Sequence, residues 1–456
     1  MAVLGTAERS LRVAIVGSGP SGFYAAEDLL RQDLNVKVDM FEKLPVPFGL
    51  VRYGVAPDHL KIKNVTKVFE KTASNPKFSF FGNVTVGKNI SVFELKKFYD
   101  AVVFAYGAES DRHLGIHGED LVGSYTATEF VAWYNGHPDF QDHHFDFSQE
   151  VAIIVGNGNV AMDVARILCK TPEELKNTDI NQNALDVLAE SKIKEVHVYG
   201  RRGPVQASFT APEIREMGEL SDCYPVVNPQ ELQLIESSQK ELEDPANAGR
   251  KKNYEIMQGF LSIDPNGRKR KFVLHFGRSP VEIIGKGRVQ KVRFEINKME
   301  GEPNKQKVRG TGKFEEIDCG MFFRSVGYTG IPIKGLPFSA QAGVMPNHSG
   351  RVMDSEQIYT GWYVAGWIKR GAVGVIGTNK PDAEETVKSL MEDIGRLNPC
   401  EIPSSEEMAN FLKDREVRVV TFEDWKKIDA AEIQRGAKLG KPREKFARVS
   451  GMLSVI

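Results

Sequence analysis

Residues 11–30 read LRVAIVGSGPSGFYAAEDLL, and this stretch decides the fold class. A short apolar run breaks at Gly17 into a glycine-rich turn, and an apolar-periodic stretch follows, which predicts a strand, a turn and a helix. Gly17, Gly19 and Gly22 form the pattern GxGxxG, in which glycine permits a tight turn, close approach of the backbone to a pyrophosphate, and packing of the helix on the strand. A pyrophosphate is expected at the helix N-terminus, where free N–H groups and the helix dipole favour negative charge.

The residues after this turn complete a βαβ unit. Residues 36–41 (VKVDMF) alternate in polarity and end at Glu42, 20 positions after Gly22, where a carboxylate can accept hydrogen bonds from ribose hydroxyls. A capping box beginning at Ser91 predicts a further helix, and residues 101–106 (AVVFAY) predict a buried strand. The alternative is that the glycines only build a tight turn, but the acid at this spacing favours a nucleotide site.

The same pattern of strand, turn and helix recurs in the middle of the chain. Residues 151–155 (VAIIV) lead into GNGNVA, where Gly156, Gly158 and Ala161 occupy the three small positions, and the wider fingerprint allows Ala in the third. We therefore predict an α/β fold with two Rossmann-like dinucleotide-binding domains in tandem.

In the second unit, the next predicted strand (196–199) is followed by Arg201 and Arg202 where the first unit has an acid. Guanidinium groups can bind a ribose 2′-phosphate bidentately and a carboxylate repels it, so this pair favours NADP over NAD. The alternative that both are ordinary surface arginines stays open. One acidic and one basic site together suggest a flavin nucleotide and NADP, with hydride transfer between nicotinamide and flavin.

Two later segments have their own patterns. Alternating stretches between about residues 255 and 316, such as KFVLHF and VQKVRFEI, predict an antiparallel meander within the second unit. From residue 362, the strand-like WYVAG returns to cofactor-type glycines, so we expect the first domain to be discontinuous. The tail from about residue 399 is rich in Lys, Glu and Arg, and we expect a surface extension there.

Length and composition narrow the classes of protein. The 456 residues suffice for two to four domains, and 41% hydrophobic with 27% charged residues are typical of a globular protein. The formal net charge of −1 argues against a globally basic nucleic-acid binder. No apolar run reaches the ~18–20 residues of a membrane span, and we expect no leader peptide and no membrane insertion. We expect a cytoplasmic protein, although a processed form in the mitochondrial matrix would have the same features.

The cysteines constrain the redox chemistry. The four of them are scattered along the sequence, too far apart for a CxxC pair, a zinc ribbon or an iron-sulfur ligand cluster: Cys169, Cys223, Cys319 and Cys400. We therefore predict no metal site, and redox chemistry has to come from a bound cofactor.

At this point the chain resembles a known family, adrenodoxin reductase and the bacterial ferredoxin-NADP reductases, within the glutathione-reductase-like flavoproteins. The resemblance covers nearly the whole chain and rests on five motifs in the same order, VAIVGSGPSGFYAA (13–26), PFGLVRYGVAPDHLKIK (47–63), VGNGNVAMDVARIL (155–168), GRRGPVQASFTAPEIRE (200–216) and VAGWIKRGAVGVIGTNK (364–380).

The resemblance implies which residues bind each cofactor. It places FAD against the first glycine turn and against Ser21, Glu42, Leu50, Val86, Trp367, Gly374, Val375 and Ile376. It places NADP against Asn157, Gly158, Asn159, Val160, Arg201, Arg202, Glu213 and Gly374. The corresponding domains are 1–108 with 328–456 for FAD, and an inserted 109–327 for NADP.

Two further residues, His59 and Glu216, lie in segments that the family places near the contact of nicotinamide and flavin. Their implied role is positioning and electrostatic tuning, because hydride passes directly between the two rings, and His59 is also a candidate for proton delivery. The residues alone favour ordinary loop chemistry for the pair Asp58-His59, which lies in a Pro/Gly-rich loop, and the resemblance is what makes it an active-site candidate.

The resemblance also implies a partner, a small acidic iron-sulfur ferredoxin that takes electrons one at a time, and a monomeric enzyme. Steering of an acidic partner requires a local basic patch, and the candidates are Arg215, Arg250, Lys251, Lys252, Lys369 and Arg370, each of which is otherwise a solvated charge. Two other functions stay open: a flavin-dependent NADPH oxidase or monooxygenase, and a non-catalytic NADP-binding scaffold.

Overall fold

In the computed structural model, which describes residues 3–456, both glycine turns lie between a buried strand and a helix. The chain forms two units, one made of the chain up to Ser110, His137–Asp139 and Gly327–Ile456, and the other of Asp111–Gly136 and Phe140–Val326. Each unit has its own main sheet; that of the second unit is parallel, and that of the first is parallel except for two antiparallel strand pairs at one edge. The predicted α/β class with two Rossmann-like units, the second inserted into the first, is confirmed.

The strands of residues 3–456 are, in chain order, β1 (Leu11–Val16), β2 (Val36–Glu42), β3 (Phe78–Gly82), β4 (Ala101–Phe104), β5 (Ser110–Asp111), β6 (Ser124–Thr126), β7 (Val151–Val155), β8 (Glu195–Gly200), β9 (Cys223–Val227), β10 (Arg270–Phe276), β11 (Arg278–Ile284), β12 (Lys291–Glu300), β13 (Lys307–Asp318), β14 (Met321–Arg324), β15 (Tyr328–Thr329), β16 (Asn347–His348), β17 (Arg351–Asp354) and β18 (Gln357–Val364).

The α-helices are α1 (Pro20–Leu30), α2 (Leu50–Tyr53), α3 (Leu60–Lys63), α4 (Thr66–Ala73), α5 (Val92–Phe98), α6 (Ala127–Tyr134), α7 (Asn159–Cys169), α8 (Pro172–Leu175), α9 (Gln182–Ala189), α10 (Ala211–Glu216), α11 (Glu236–Glu243), α12 (Ala248–Phe260), α13 (Trp367–Arg370), α14 (Asn379–Asp393), α15 (Ser405–Lys413), α16 (Phe422–Ala437) and α17 (Val449–Leu453). Short 3-10 turns include Pro204–Gln206 and Ile376–Thr378.

The first unit is built on a seven-stranded sheet in the order β16-β17-β18-β4-β1-β2-β3. Strand β1 pairs in parallel with β2 and β4, and all six of its residues are buried because both faces of the sheet are covered. The carboxyl ends of β1, β2 and β4 therefore meet at one edge, and the first glycine turn lies there between its neighbours.

The chain after residue 399 differs from the expected surface extension. Met408, Trp425, Ile428 and Met452 are buried in the cores of the first unit. Trp425 packs edge-on against Phe48, with ring centroids 5.8 Å apart. The charged residues of this tail cover the outer faces of helices whose inner faces are apolar, so a high content of Lys, Glu and Arg does not indicate a detached extension.

The second unit has a six-stranded parallel sheet in the order β6-β14-β7-β8-β10-β9 and a separate antiparallel sheet, β11-β12-β13. The predicted meander, from about residue 255 to 316, therefore began too early, because the antiparallel sheet starts only at β11. KFVLHF belongs to β10, which lies in parallel between β8 and β9, and Ala248–Phe260 is a helix. Short apolar runs of this kind do not distinguish a buried parallel strand from an antiparallel one.

Two of the four cysteines are neighbours in space despite their separation in sequence. Cys169 ends α7 and Cys223 begins β9, and both are fully buried thiols. Burial, together with the adjacent Cys223 thiol, raises the pKa of Cys169 well above its ordinary value, so it carries little thiolate. Within residues 3–456, no helix is both long and apolar enough to cross a membrane.

A matched pair of substitutions on α16 tests whether the tail is part of the folded core. Ile428 is fully buried and Ile433 is 45% exposed on the same helix. We expect Ile428→Ala to lower the free energy of unfolding by about 2–5 kcal/mol, because it leaves a cavity. Ile433→Ala should change it by about 0.5 kcal/mol or less. Equal, small effects in urea denaturation would show that the tail folds apart from the core.

Candidate nucleotide sites

The first glycine turn uses its three glycines in two different ways. A Cβ atom on Gly17, which has φ of +107°, would lie 2.5 Å from the carbonyl oxygen of Ala105, and one on Gly22 would lie 2.1 Å from the carbonyl oxygen of Gly17. These two positions are required for packing. At Gly19, by contrast, the added Cβ has no atom of residues 3–456 within 4 Å apart from those of Gly19 and its neighbours in the chain. Gly19 therefore leaves an open approach to the start of α1.

The helices that follow the two glycine turns begin without a side-chain cap in the described part of the chain. Gly19 caps α1 and Gly158 caps α7, and neither helix has an acidic residue in its first turn. In contrast, α5 and α16 begin with complete capping boxes at Ser91 and Thr421. A bound anion can satisfy the N–H groups that a capping side chain satisfies elsewhere. Both turns thus fit a pyrophosphate.

Glu42 lies at the end of β2 and holds the first turn in place. Its Oε2 accepts hydrogen bonds from the Ser18 backbone N–H at 3.1 Å and the Ser18 hydroxyl at 2.6 Å, and its Oε1 accepts one from the Leu44 N–H at 3.1 Å. Burial raises the pKa of the Glu42 carboxyl, which these hydrogen bonds partly offset. Oε1 retains an acceptor position, which fits a ribose hydroxyl.

Phe48, Gly49 and Tyr106 lie near the first turn but were not among the predicted cofactor-binding residues, although the motif 47–63 and the predicted strand 101–106 contain them. The Phe48 N–H donates to the Ser18 carbonyl at 3.0 Å, and a Cβ on Gly49 would approach the Gly19 Cα to 3.0 Å. Tyr106 follows β4 and borders Gly17, and its buried hydroxyl has no hydrogen-bond partner within residues 3–456. The signal for Tyr106 was its position at the end of a strand parallel to β1.

A late segment of the chain returns to the same edge of the first unit. The Ser21 hydroxyl donates to the Asn379 Oδ1 at 3.1 Å, and a Cβ on Gly366 would meet the Ser21 Oγ at 2.0 Å. Trp367 follows Gly366, and its Nε1 is buried with no hydrogen-bond partner in the described part of the chain. Val373 is 69% exposed and Gly374 has φ of +86°.

The remaining residues expected near a flavin also lie in the first unit. Val86 is buried, Leu50 and Val375 are exposed, and Ile376 is partly buried. Val373 and Val375 expose apolar side chains and Trp367 has an unpartnered indole N–H, and groups of these two kinds fit an aromatic ring system that carries hydrogen-bond acceptors.

The second glycine turn has the same division of roles as the first. A Cβ on Gly156, which has φ of +123°, would lie 2.1 Å from the Ser325 carbonyl oxygen, whereas one on Gly158 meets no atom within 4 Å in the described chain. Ala161 is fully buried and Val160 packs against the same core. Ala in the third position is therefore accommodated, as the sequence predicted.

The segment after β8 folds back onto the second turn. The Ser208 and Phe209 N–H groups donate to the Asn157 carbonyl at 2.9 and 3.0 Å, and the Thr210 N–H donates to the Asn159 Oδ1 at 2.8 Å. The buried Asn157 Nδ2 lies against Gly200 and has no hydrogen-bond partner in residues 3–456. The two motifs 155–168 and 200–216 therefore form one site. In this site the Asn157 Nδ2 is available to donate a hydrogen bond to a ligand.

Arg201 and Arg202 follow β8 directly. Neither side chain makes a hydrogen bond or ion pair to any described residue, and their backbone carbonyls accept from Asn297 and Gly277. Burial, then the neighbouring Arg201 and Arg250 guanidinium groups, lower the pKa of Arg202. The positive charge of these three arginines exceeds the negative charge of the one nearby carboxylate, Glu241, and such an excess fits a phosphate.

Helix α10 carries the two acidic residues of this unit that were predicted to act. Glu213 is buried and accepts from the Thr210 hydroxyl. The Glu216 Oε2 lies 3.4 Å from the Nε of Arg166, which is fully buried and also pairs with Asp163 at 2.7 Å. Glu216 is thus held by a buried guanidinium.

His59 belongs to the first unit, at the start of α3, with its N–H donating to the Ala56 carbonyl at 3.1 Å. Gly374, expected against both cofactors, also belongs to the first unit, and Glu216 belongs to the second. The roles of His59 and Glu216 remain predictions.

Some candidates for a basic docking patch have other roles. Lys369 is buried, and its Nζ pairs with Asp382 at 3.0 Å and Glu385 at 2.6 Å. Arg370 donates to the Asn379 Oδ1 at 2.9 Å. Arg250 lies beside Arg202 and pairs with Glu241 at 3.1 Å. Lys251 and Lys252 are exposed.

Comparisons with known proteins agree with this geometry. A family model described as "Pyridine nucleotide-disulphide oxidoreductase" matches residues 11–216. The NADPH-ferredoxin reductase FprA of Mycobacterium tuberculosis is 44% identical, over 98% of this chain and 99% of that protein. The mitochondrial NADPH:adrenodoxin oxidoreductase of Homo sapiens is 41% identical, over 99% of this chain and 93% of that protein. The solved structure of Mycobacterium tuberculosis FprA in complex with NADPH superimposes with a TM-score of 0.91, covering 98% of this chain and 99% of that one.

The two roles of glycine predict opposite effects of the same substitution. Gly158→Ala places its methyl group in open space, so thermal stability without nucleotide should be unchanged, while the dissociation constant for NADP⁺ should rise at least about tenfold. Gly156→Ala should lower the free energy of unfolding by more than about 1 kcal/mol, because φ is positive and the methyl group meets the Ser325 carbonyl. Calorimetry of binding and of unfolding checks both. Unchanged NADP⁺ binding in Gly158→Ala would contradict the assignment.

Proposed function

This chain belongs to the family of NADPH-ferredoxin reductases and NADPH:adrenodoxin oxidoreductases, and we propose that it is an FAD-dependent oxidoreductase that transfers electrons from NADPH to a small iron-sulfur ferredoxin. The observation that carries the proposal is the pair of uncapped helix starts at Gly19 and Gly158, one beside an acid and the other beside unpaired arginines.

The first unit fits FAD. Gly19 leaves room for a pyrophosphate, Glu42 retains an acceptor for a ribose hydroxyl, and the Trp367 Nε1 offers a buried donor. When bound, FAD supplies a ring that takes a hydride from nicotinamide and passes electrons on singly. The protein's own contribution is to hold that ring beside Trp367 and the exposed segment that ends at Val375, and to set its electrostatic surroundings.

The second unit fits NADP(H). Gly158 leaves room for its pyrophosphate, the Asn157 Nδ2 supplies an unpartnered donor, and Arg201 with Arg202 supplies positive charge for a 2′-phosphate. We assign residues 1–108 and 328–456 to FAD binding and 109–327 to NADP binding. The residues assigned on resemblance, including Leu50, Val86 and Glu213, keep the cofactor roles given above.

The partner follows from the cofactors and the cysteines. The described cysteines are buried thiols, and burial raises the pKa of Cys319 and Cys400 to about 12, so they are poor candidates for a dithiol relay. Without such a relay, electrons from a bound FAD would have to pass directly to an external acceptor, and the family relationship indicates an iron-sulfur ferredoxin. We further propose that this ferredoxin is acidic, that the enzyme is a monomer and that it acts in the cytoplasm.

We propose that His59 and Glu216 tune hydride transfer without acting as obligatory acid or base. Neutral replacement of similar size, His59→Gln and Glu216→Gln, should slow flavin reduction by NADPH and shift the flavin potential while the thermal stability changes little. Glu216→Gln keeps a side-chain oxygen near Arg166, so a stability loss is not expected to dominate. Stopped-flow rates and potentials equal to those of the parent enzyme would remove both residues from the site.

A reductase assay tests the proposed function. Purified protein with NADPH should reduce cytochrome c slowly alone and much faster when a ferredoxin is added, because the ferredoxin accepts single electrons from the flavin and passes them on. A panel of ferredoxins with measurement of oxygen consumption separates the outcomes. Stoichiometric hydrogen peroxide without dependence on ferredoxin would indicate an oxidase, and NADP⁺ binding without turnover would indicate a scaffold.

The arginine pair predicts the choice of nicotinamide nucleotide. Arg201→Ala with Arg202→Ala should lower kcat/KM for NADPH by about a hundredfold or more, because each charged hydrogen bond contributes roughly 1.5–3 kcal/mol, while kcat/KM for NADH changes little. Steady-state kinetics with ferricyanide as acceptor measures both. An unchanged preference for NADPH would contradict the NADP assignment.

A further inference from the structure

The basic site after β8 contains a third arginine that comes from a distant part of the sequence. We propose that Arg250, on α12, is a third anchor for the 2′-phosphate of NADP, with Glu241 as the residue that positions it. This inference rests on the proposed function, since it presupposes an NADP site at Arg201 and Arg202.

Arg250 is tied to the turn that follows Arg201 and Arg202. Helix α12 packs against the 3-10 turn Pro204–Gln206, which directly follows Arg202 and Gly203 in the chain. The Gln206 Nε2 donates to the Glu241 Oε2 at 2.9 Å, and the Arg250 Nη1 donates to the same oxygen at 3.1 Å. One carboxylate oxygen thus ties Arg250 to the turn that follows the arginine pair.

Hydrogen bonds to Glu241 and Asn304 hold Arg250 in a fixed position. Glu241 is buried, and its Oε1 accepts from the Asn304 N–H at 2.6 Å. The Asn304 Oδ1 in turn accepts from the Arg250 Nη1 at 3.1 Å and from the Asn247 Nδ2 at 3.1 Å. Arg250 is therefore fixed through a single nitrogen by two acceptors, and a fixed guanidinium loses little further entropy when it binds a phosphate.

Part of the Arg250 guanidinium group is still available to donate hydrogen bonds. Within residues 3–456, the Nε and Nη2 of Arg250 make no hydrogen bond, and the side chain is 39% exposed. A planar guanidinium held by one nitrogen can present its other N–H groups to a second oxyanion. Arg250 is thus held by the protein on one side and open on the other.

The site carries an excess of positive charge. Arg201, Arg202 and Arg250 bring three positive charges together, and Glu241 supplies one negative charge. Repulsion by both neighbouring guanidinium groups contributes to the low pKa of Arg202. A phosphate monoester brings about −1.5 to −2 charges at pH 7, which matches the excess of two positive charges.

The same observations distinguish this role from docking of an acidic protein. A docking residue acts through long-range attraction and needs no buried carboxylate to fix it. Arg250 is fixed by Glu241, whereas its neighbour Lys251 is exposed and makes no ion pair with a described residue. Lys251 is consequently a matched control, with the same charge one position away on the same helix.

The test compares NADP⁺ and NAD⁺, which differ by the 2′-phosphate, in binding to the oxidised holoenzyme without ferredoxin. Calorimetry gives the ratio of the dissociation constant for NAD⁺ to that for NADP⁺, and general damage to the site cancels in this ratio. We expect Arg250→Ala to reduce the ratio about tenfold, as for loss of one charged hydrogen bond. Lys251→Ala should leave it within about twofold, and Arg250→Lys should give an intermediate ratio.

Three results are decisive. Equal ratios for Arg250→Ala, Lys251→Ala and the parent enzyme would overturn the inference and leave the proposed function intact. The inference would likewise be overturned if Arg250→Ala left this ratio unchanged and altered only the KM for ferredoxin in the reductase assay. That result would indicate a docking role for Arg250. A parent enzyme that bound NADP⁺ no better than NAD⁺ would instead contradict the NADP site on which the inference rests.

Discussion

The helix start left open at Gly19 and again at Gly158 is the constraint on which both units depend. A helix leaves several backbone N–H groups without partners at its first turn, and in α5 and α16 the side chains of Ser91 and Thr421 satisfy some of them. At Gly19 and Gly158, an added Cβ would meet no atom of residues 3–456 within 4 Å beyond the neighbouring residues in the chain. Gly17 and Gly156, at the start of each turn, have positive φ and no room for a Cβ, so they allow the strand, turn and helix to pack around the open space at Gly19 and Gly158.

The difference between the two units lies in the charge at the end of the next strand. In the first unit Glu42 braces the glycine turn through Ser18 and retains an acceptor, which suits neutral ribose hydroxyls. In the second, Arg201 and Arg202 carry positive charge with no carboxylate paired to them among residues 3–456, which suits a phosphate. The same backbone device thus serves two nucleotides, and the side chains one strand away select between them.

Many helices and strands could be predicted from the sequence, because the patterns that specify them involve residues close together in the chain. Strand β1 was predicted with its observed ends, and the predicted capping box at Ser91 is present, since caps and short apolar strands depend on residues close in sequence. Distant packing was not predictable. The burial of Trp425 against Phe48, the contact of Cys169 with Cys223 and the approach of Arg250 to Arg202 join residues far apart in sequence. KFVLHF was misplaced because its pattern does not specify which strands flank it.

The central claim is that this protein takes electrons from NADPH through a flavin and gives them to a one-electron acceptor. The most direct measurement is anaerobic absorbance spectroscopy of the purified protein, first mixed with NADPH and then with an oxidised iron-sulfur ferredoxin. We expect NADPH to bleach the visible flavin absorbance, NADH to do so far more slowly, and the ferredoxin to restore the absorbance. A flavin that stayed yellow in NADPH, or stayed bleached in the presence of every ferredoxin offered, would contradict the central claim.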